Sequence, residues 1–253
     1  MIGGFNLVGF NSSSSMTELA SQDSSIVKRT LDYNKKLKSV IVDEKIDAEA
    51  LQDEIFPVQS ADVFISHSHG DEGLAIRLKN WLKRKWDMDS FLDGEIWRSA
   101  DDILKVIDKK SCWKDDRGVY DYNERNLTTS YVHVMLCNAI MQAMNSCDFV
   151  FFLNTPSSID PYSAWEKPKT YSPWLYYELS VLKYIQKEPA RIIKSASTGR
   201  ENFNENLNTL ISYPAIDLTE LPKLEFIDLK NLSPSDRLTM HEYLLSKLGH
   251  HHI

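Results

Sequence analysis

Glu178 is the residue whose placement most calls for a chemical role. It falls inside an apolar helical stripe, four residues after Trp174 and three after Leu175, alongside Leu179, Leu182 and Ile185. A carboxylate on the inward face of a helix is costly unless it is paired or used. Two readings stand open. One is a Glu satisfied by a neighbouring Lys, Arg or backbone amide; the other is a working carboxylate at a cleft. Trp174, Tyr176 and Tyr177 suit a site that stacks a planar ring, and they suit ordinary packing equally well. Other polar groups follow short apolar runs: Ser66-His67-Ser68-His69, Asp93-Gly94-Glu95 and Asn154-Thr155. In an open parallel sheet, ligand sites gather at the carboxyl ends of strands, so these groups predict a polar cleft.

Several chemistries lack their residues. His67 and His69 would make half a metal site, but no companion Cys or His cluster joins them, so no metal is expected. Ser66 or Ser68 beside His67 has no GxSxG context for a hydrolase nucleophile. Lys79, Lys83, Arg84 and Lys85 read as a solvated helix face. His250, His251 and His252 read as a flexible tail with incidental metal affinity. Glycine is scarce, and neither GxGxxG nor GxxxxGK[ST] occurs, which excludes a standard dinucleotide fold or P-loop by motif.

Composition narrows the class further. The 253 residues carry 29 Lys+Arg against 36 Asp+Glu, a formal net charge of −7. That balance argues against broad nucleic-acid binding. No apolar run reaches about 18 residues, so no membrane-spanning helix is expected. Cys112, Cys137 and Cys147 are odd in number and lack CxxC spacing, which predicts reduced thiols and a cytoplasmic setting. The N-terminus lacks the positive region of a signal peptide, and Ile2 stands where myristoylation wants Gly.

The elements that must position these residues can be read in order. Residues 1–22 read as loosely held and 24–56 as helix-compatible, so 1–59 is expected to be a partly helical N-terminal extension. Ala61-Asp62-Val63-Phe64-Ile65-Ser66 reads as a buried strand, 74–85 as an amphipathic helix and Ser90-Phe91-Leu92 as a second strand. The polar, aperiodic stretch 108–130 reads as a long loop or insertion. Val132, Met135, Leu136, Ala139, Ile140, Ala143, Met144 and Cys147 form the cleanest helical stripe. Residues 148–153 read as a third strand covered on both faces. Ser172 as N-cap and Pro173 at the first position open the helix that carries Glu178. Ile192-Ile193 reads as a fourth strand, 207–229 as a weaker helix and strand, and 234–248 as a last helix capped by Ser233 or Ser235. The alternation predicts an α/β fold, an open, flavodoxin-like parallel sheet of about five strands with helices on both faces.

Taken together, these segments resemble a Toll/interleukin-1 receptor (TIR) domain over 60–230, with 231–253 as a C-terminal helix and tail. Ala61 to Ser66 resembles the family's first-strand box, D-x-F-I-S. Ser90-Phe91-Leu92-Asp93 resembles its second strand, followed by the BB loop at about 94–102. Ser172-Pro173-Trp174 through Glu178-Leu179 resembles the S-x-W-x-x-x-E-L start of the family's catalytic helix. The enzymatic branch is the most similar. It cleaves NAD at the nicotinamide–ribose bond, with NAD as substrate and no resident cofactor. The resemblance implies Glu178 as the catalytic residue. It implies a substrate-binding set of Phe64, Ser66, His67, Ser68, Phe91, Asp93, Trp97, Asn154 and Trp174. Trp97 and the BB loop would reach a neighbouring protomer, so self-association through the BB loop is expected.

The same resemblance points to bacterial anti-phage defence of the Thoeris type. A phage-derived trigger would act on the chain, and a downstream effector would respond to a cyclic or modified ADP-ribose. The chain departs from the family where His67 replaces a common Tyr and where the BB loop lacks the usual Pro-Gly pair. A carboxylate beside the oxocarbenium-like ribosyl centre left by nicotinamide would stabilise its charge, as in glycoside hydrolysis. The rival expectations are a non-catalytic TIR-like interaction module and a nucleoside deoxyribosyltransferase-like enzyme.

Overall fold

The computed structural model describes residues 1–10, 19, 41–42, 45–46, 48–96, 100–160, 168–185, 213–214, 218 and 221–249. Five strands form one sheet: β1 (Gly3–Val8), β2 (Ala61–Ser66), β3 (Ser90–Phe91), β4 (Cys147–Leu153) and β5 (Lys223–Glu225). Their spatial order is β5-β1-β4-β2-β3, and every pairing is parallel. Around the sheet lie α1 (Ala48–Ile55), α2 (Glu72–Trp86), α3 (Ala100–Ser111), α4 (Tyr122–Ser146), α5 (Pro173–Ile185), α6 (Phe226–Asn231) and α7 (Arg237–Lys247). No described helix is long and apolar enough to cross a membrane.

The two-residue period of a strand sorts the core into two halves. Phe64, Phe91, Val150 and Phe152 point to one face, where α1, α3, α4 and α5 pack. Val63, Ile65, Phe149, Phe151, Phe5 and Leu7 point to the other, where α2, α6 and α7 pack. Central β4 is covered on both faces, which is why 149–153 is a continuous apolar run. Ser172 caps α5, its hydroxyl accepting from Leu175 N at 3.3 Å, with Pro173 at the first position as the sequence predicts.

Residues 3–8 are not loosely held. They form the strand between β4 and β5, with Phe5 paired to Phe151 and Leu7 to Leu224 and Leu153. Both side chains are buried. Gly9, at φ +93°, lets the chain leave the sheet in a conformation other residues resist. Counted from β2, the spatial order is that of a flavodoxin-like sheet whose fourth position is filled by the N-terminal strand. The strand expected at Ile192-Ile193 lies outside the described residues.

Three further expectations change. Within 24–56, Ile41–Val42 and Lys45–Ile46 form a small antiparallel hairpin, and helix is described from Ala48; the residues before Ile41 lie outside the described set. The stretch 108–130 is not a long loop. α3 runs to Ser111, Trp113–Lys114 and Val119–Tyr120 make a tight hairpin, and α4 starts at Tyr122. The hairpin is pinned by the Trp113–Tyr120 ring pair at 4.9 Å, and α4 by Asp121, which accepts from Glu124 N. The last helix is capped by Asp236, which accepts from Thr239 N at 2.8 Å, rather than by Ser233 or Ser235.

Candidate active site

Ser66 is the last residue of β2 and shares its face with Phe64. That is the face on which α5 lies, with Leu175, Leu179 and Leu182 packed into the core. Glu178 sits between these leucines and is 5% exposed. Its Oε2 accepts a hydrogen bond from Ser66 Oγ at 2.5 Å. The partner described for Glu178 is thus a hydroxyl at a strand end. The site lies where β2 and β4 are neighbours, the switch point of this sheet order, where ligands of open α/β sheets bind.

Burial is the main force on the Glu178 proton. It raises the carboxyl from an ordinary 4.5 to about 8. The negative charge of Asp93, just past β3, pushes the same way, and the Ser66 hydrogen bond pulls it back. Asp93 is half-buried, and its Oδ1 accepts from Gly94 N at 2.8 Å. Two carboxylates that oppose each other's ionisation favour a cation beside them.

The loops after β2 and β4 are braced together. One oxygen of Asp71 accepts from Ser68 Oγ at 2.5 Å, Thr155 Oγ1 at 2.5 Å and Ser158 Oγ at 3.2 Å. The three hydroxyl residues are buried. Hydrogen bonds to a charged acceptor are roughly twice as strong as neutral ones, so this cluster fixes the rim of the site. The hydroxyl of Ser68 is thereby engaged with Asp71.

The remaining expected residues are placed as follows. Phe64 and Phe91 are register partners across β2 and β3, with rings stacked at 5.6 Å and 13°. Both are 1% exposed and form a floor one step below Ser66. His67 turns its Nδ1 to Ile65 O at 3.1 Å and is half-buried. Asn154 continues β4, its N–H donating to Leu7 O at 3.0 Å. Trp174, in the first turn of α5, is half-buried and meets His133 of α4 edge-on at 5.3 Å. Trp97, with most of the expected BB loop, lies outside the described residues or has no described side chain; 93–96 forms a short helical turn.

One residue of this face was not foreseen. Asn6 of β1 is the register partner of Phe152, which is itself the partner of Ser66. Asn6, Phe152 and Ser66 thus form a row across three strands on the Glu178 face. Asn6 Oδ1 is buried and has no hydrogen-bond partner among the described residues. Such an acceptor calls for a partner, a water or a bound group among them. The signal was the run Phe5-Asn6-Leu7-Val8, β-formers broken by one amide.

Among the described residues, one carboxylate–histidine group has metal-like spacing: Asp62, Asp148 and His241, on the α7 side of the sheet. Asp62 Oδ1 already meets Arg237 Nε at 2.5 Å and His241 Nε2 at 3.0 Å, and Oδ2 accepts from Asp89 N. This is a satisfied buried carboxylate that pins α7 to the sheet. No protein family, curated protein or solved structure matches the chain.

Proposed function

We propose that this chain is a TIR-type enzyme that cleaves the nicotinamide–ribose bond of NAD, with Glu178 as the catalytic carboxylate. The observation that carries the reading is the buried Glu178, bonded to Ser66 at the carboxyl edge of the sheet and facing the charge of Asp93. The nicotinamide ring nitrogen of NAD is cationic. A cation entering beside two carboxylates favours their ionised forms, so binding draws the Glu178 carboxyl down from about 8 and releases its proton.

The C1′–N bond then breaks, and its electron pair leaves with nicotinamide, which becomes neutral. The ribosyl centre takes on positive charge, and the Glu178 carboxylate stabilises it from a site largely closed to water. Ser66 positions that carboxylate. Water adding to C1′ gives ADP-ribose and a proton, while an internal nucleophile of the same molecule gives a cyclic product. Asn6, Asn154 and Trp174 serve as substrate-binding groups in this reading. Self-association through the BB loop, a cytoplasmic setting, a phage-derived trigger and an effector that senses the product belong to the same proposal.

A substrate panel tests this reading. The purified chain is incubated with NAD, a free ribonucleoside and a free deoxyribonucleoside, and base release is followed by chromatography. Nicotinamide release from NAD alone supports it. Base release from the deoxyribonucleoside and none from NAD would assign the chain to the deoxyribosyltransferase-like class instead.

A further inference from the structure

The buried side of α4 is the stripe expected from sequence; its outer side carries a second stripe. Leu127, Tyr131, Val134 and Met141 are between 40% and 64% exposed. With the exposed Asn138 and Asn145 they alternate at spacings of four and three residues. At the helical advance of 100° per residue these six fall within a band about 80° wide, the narrow seam of a coiled coil. Leu127, Val134 and Met141 take one seam position of three successive heptads, and Tyr131, Asn138 and Asn145 take the other.

The face is also without charge. From 126 to 146 no Asp, Glu, Lys or Arg occurs, in a chain that is 26% charged. Solvated helix faces carry charges; interface cores are depleted of them and enriched in Tyr and Met. We propose that this face of α4 pairs with the same face of a second copy of the chain, helices parallel.

Two features select a second copy as the occupant. Two chains of net charge −7 repel over most approaches, and an uncharged face is where they meet with least repulsion. The seam is also self-complementary in parallel register. Asn138 meets Asn138 and Asn145 meets Asn145, each amide satisfying its own kind, while Leu127, Val134 and Met141 meet their copies. An antiparallel arrangement centred on the stripe would set both asparagines against apolar side chains. Buried Asn at such a position is a known determinant of register and of two-chain assembly. The seam runs about 27 Å along the helix. This contact is isologous and separate from any association through the BB loop.

Sedimentation of the full chain at tens of micromolar tests the pairing, beside Val134→Glu. Val134 is exposed, so the variant folds, which circular dichroism checks. The expected result is a dimeric parent and loss of that association in Val134→Glu. Leu127→Cys and Met141→Cys then report the register, since each would cross-link to its own copy under mild oxidation. A monomeric parent would give the face to a different occupant, another protein or the chain's own 11–40, and would overturn the proposal. So would a dimer indifferent to Val134→Glu, or failure of both cysteines to cross-link.

Discussion

Ser66 donates its hydroxyl hydrogen to Glu178 across 112 residues of sequence, at 2.5 Å and in a buried setting. The contact joins the end of β2 to the second turn of α5. It is the one described hydrogen bond that favours the charged form of a carboxyl otherwise held neutral by burial and by Asp93.

Glu178 makes stability depend on pH in a fixed direction. Its folded pKa lies above its unfolded value, so its stabilising contribution is fully present below about 4.5 and is lost as pH rises through about 8. Glu178→Gln mimics the protonated acid at every pH. Thermal melts from about pH 5 to about pH 9 should show the parent losing melting temperature relative to the variant across that window. A constant difference between the two proteins would contradict a buried neutral acid.

Ser66→Ala removes the bond that lowers the Glu178 pKa. The kcat/KM profile for NAD, which reports the free enzyme, should rise with pH through about 8 in the parent. In the variant it should shift towards alkali, for about a tenfold loss near neutrality. An unshifted profile with lower amplitude throughout would mean that Ser66 does not tune the carboxyl.

Much of this site was legible in the residues because it rests on local patterns. The strand at Ala61–Ser66, the Ser172 cap and the inward place of Glu178 each follow from spacing that the structure repeats. The N-terminal strand was not legible, because six residues with two glycines show too little period, and only their non-local partners β4 and β5 make them a strand. The hairpin at 113–120 was hidden for a similar reason: its aromatic pair and the Asp121 cap sit among polar residues that read as loop.

Asn6→Ala should separate binding from folding. The Oδ1 lacks a described partner, so removing it costs little stability, a shift of no more than about 1 kcal/mol. KM for NAD should rise severalfold, with kcat nearly unchanged. An unchanged KM would leave Asn6 without a role in binding.

Asp62→Ala should do the opposite. Asp62 is fully buried, its Oδ1 meets Arg237 and His241, and its Oδ2 accepts from Asp89 N. Losing this junction should cost about 2–4 kcal/mol and lower the melting temperature by roughly 5–15 °C. Turnover per folded molecule should persist. Melts and activity measured on the same preparation check both halves, and a stable but inactive variant would place Asp62 in the chemistry.

The most direct measurement is nicotinamide release from NAD by the purified chain at high protein concentration, run beside Glu178→Gln. Release by the parent and none by the variant, with both folded, is the expected result, and the second product peak then names the fate of the ribosyl centre. Equal release by the two proteins would contradict the role of Glu178. No release by either, in buffer or in lysate of phage-infected cells, would contradict the enzyme itself.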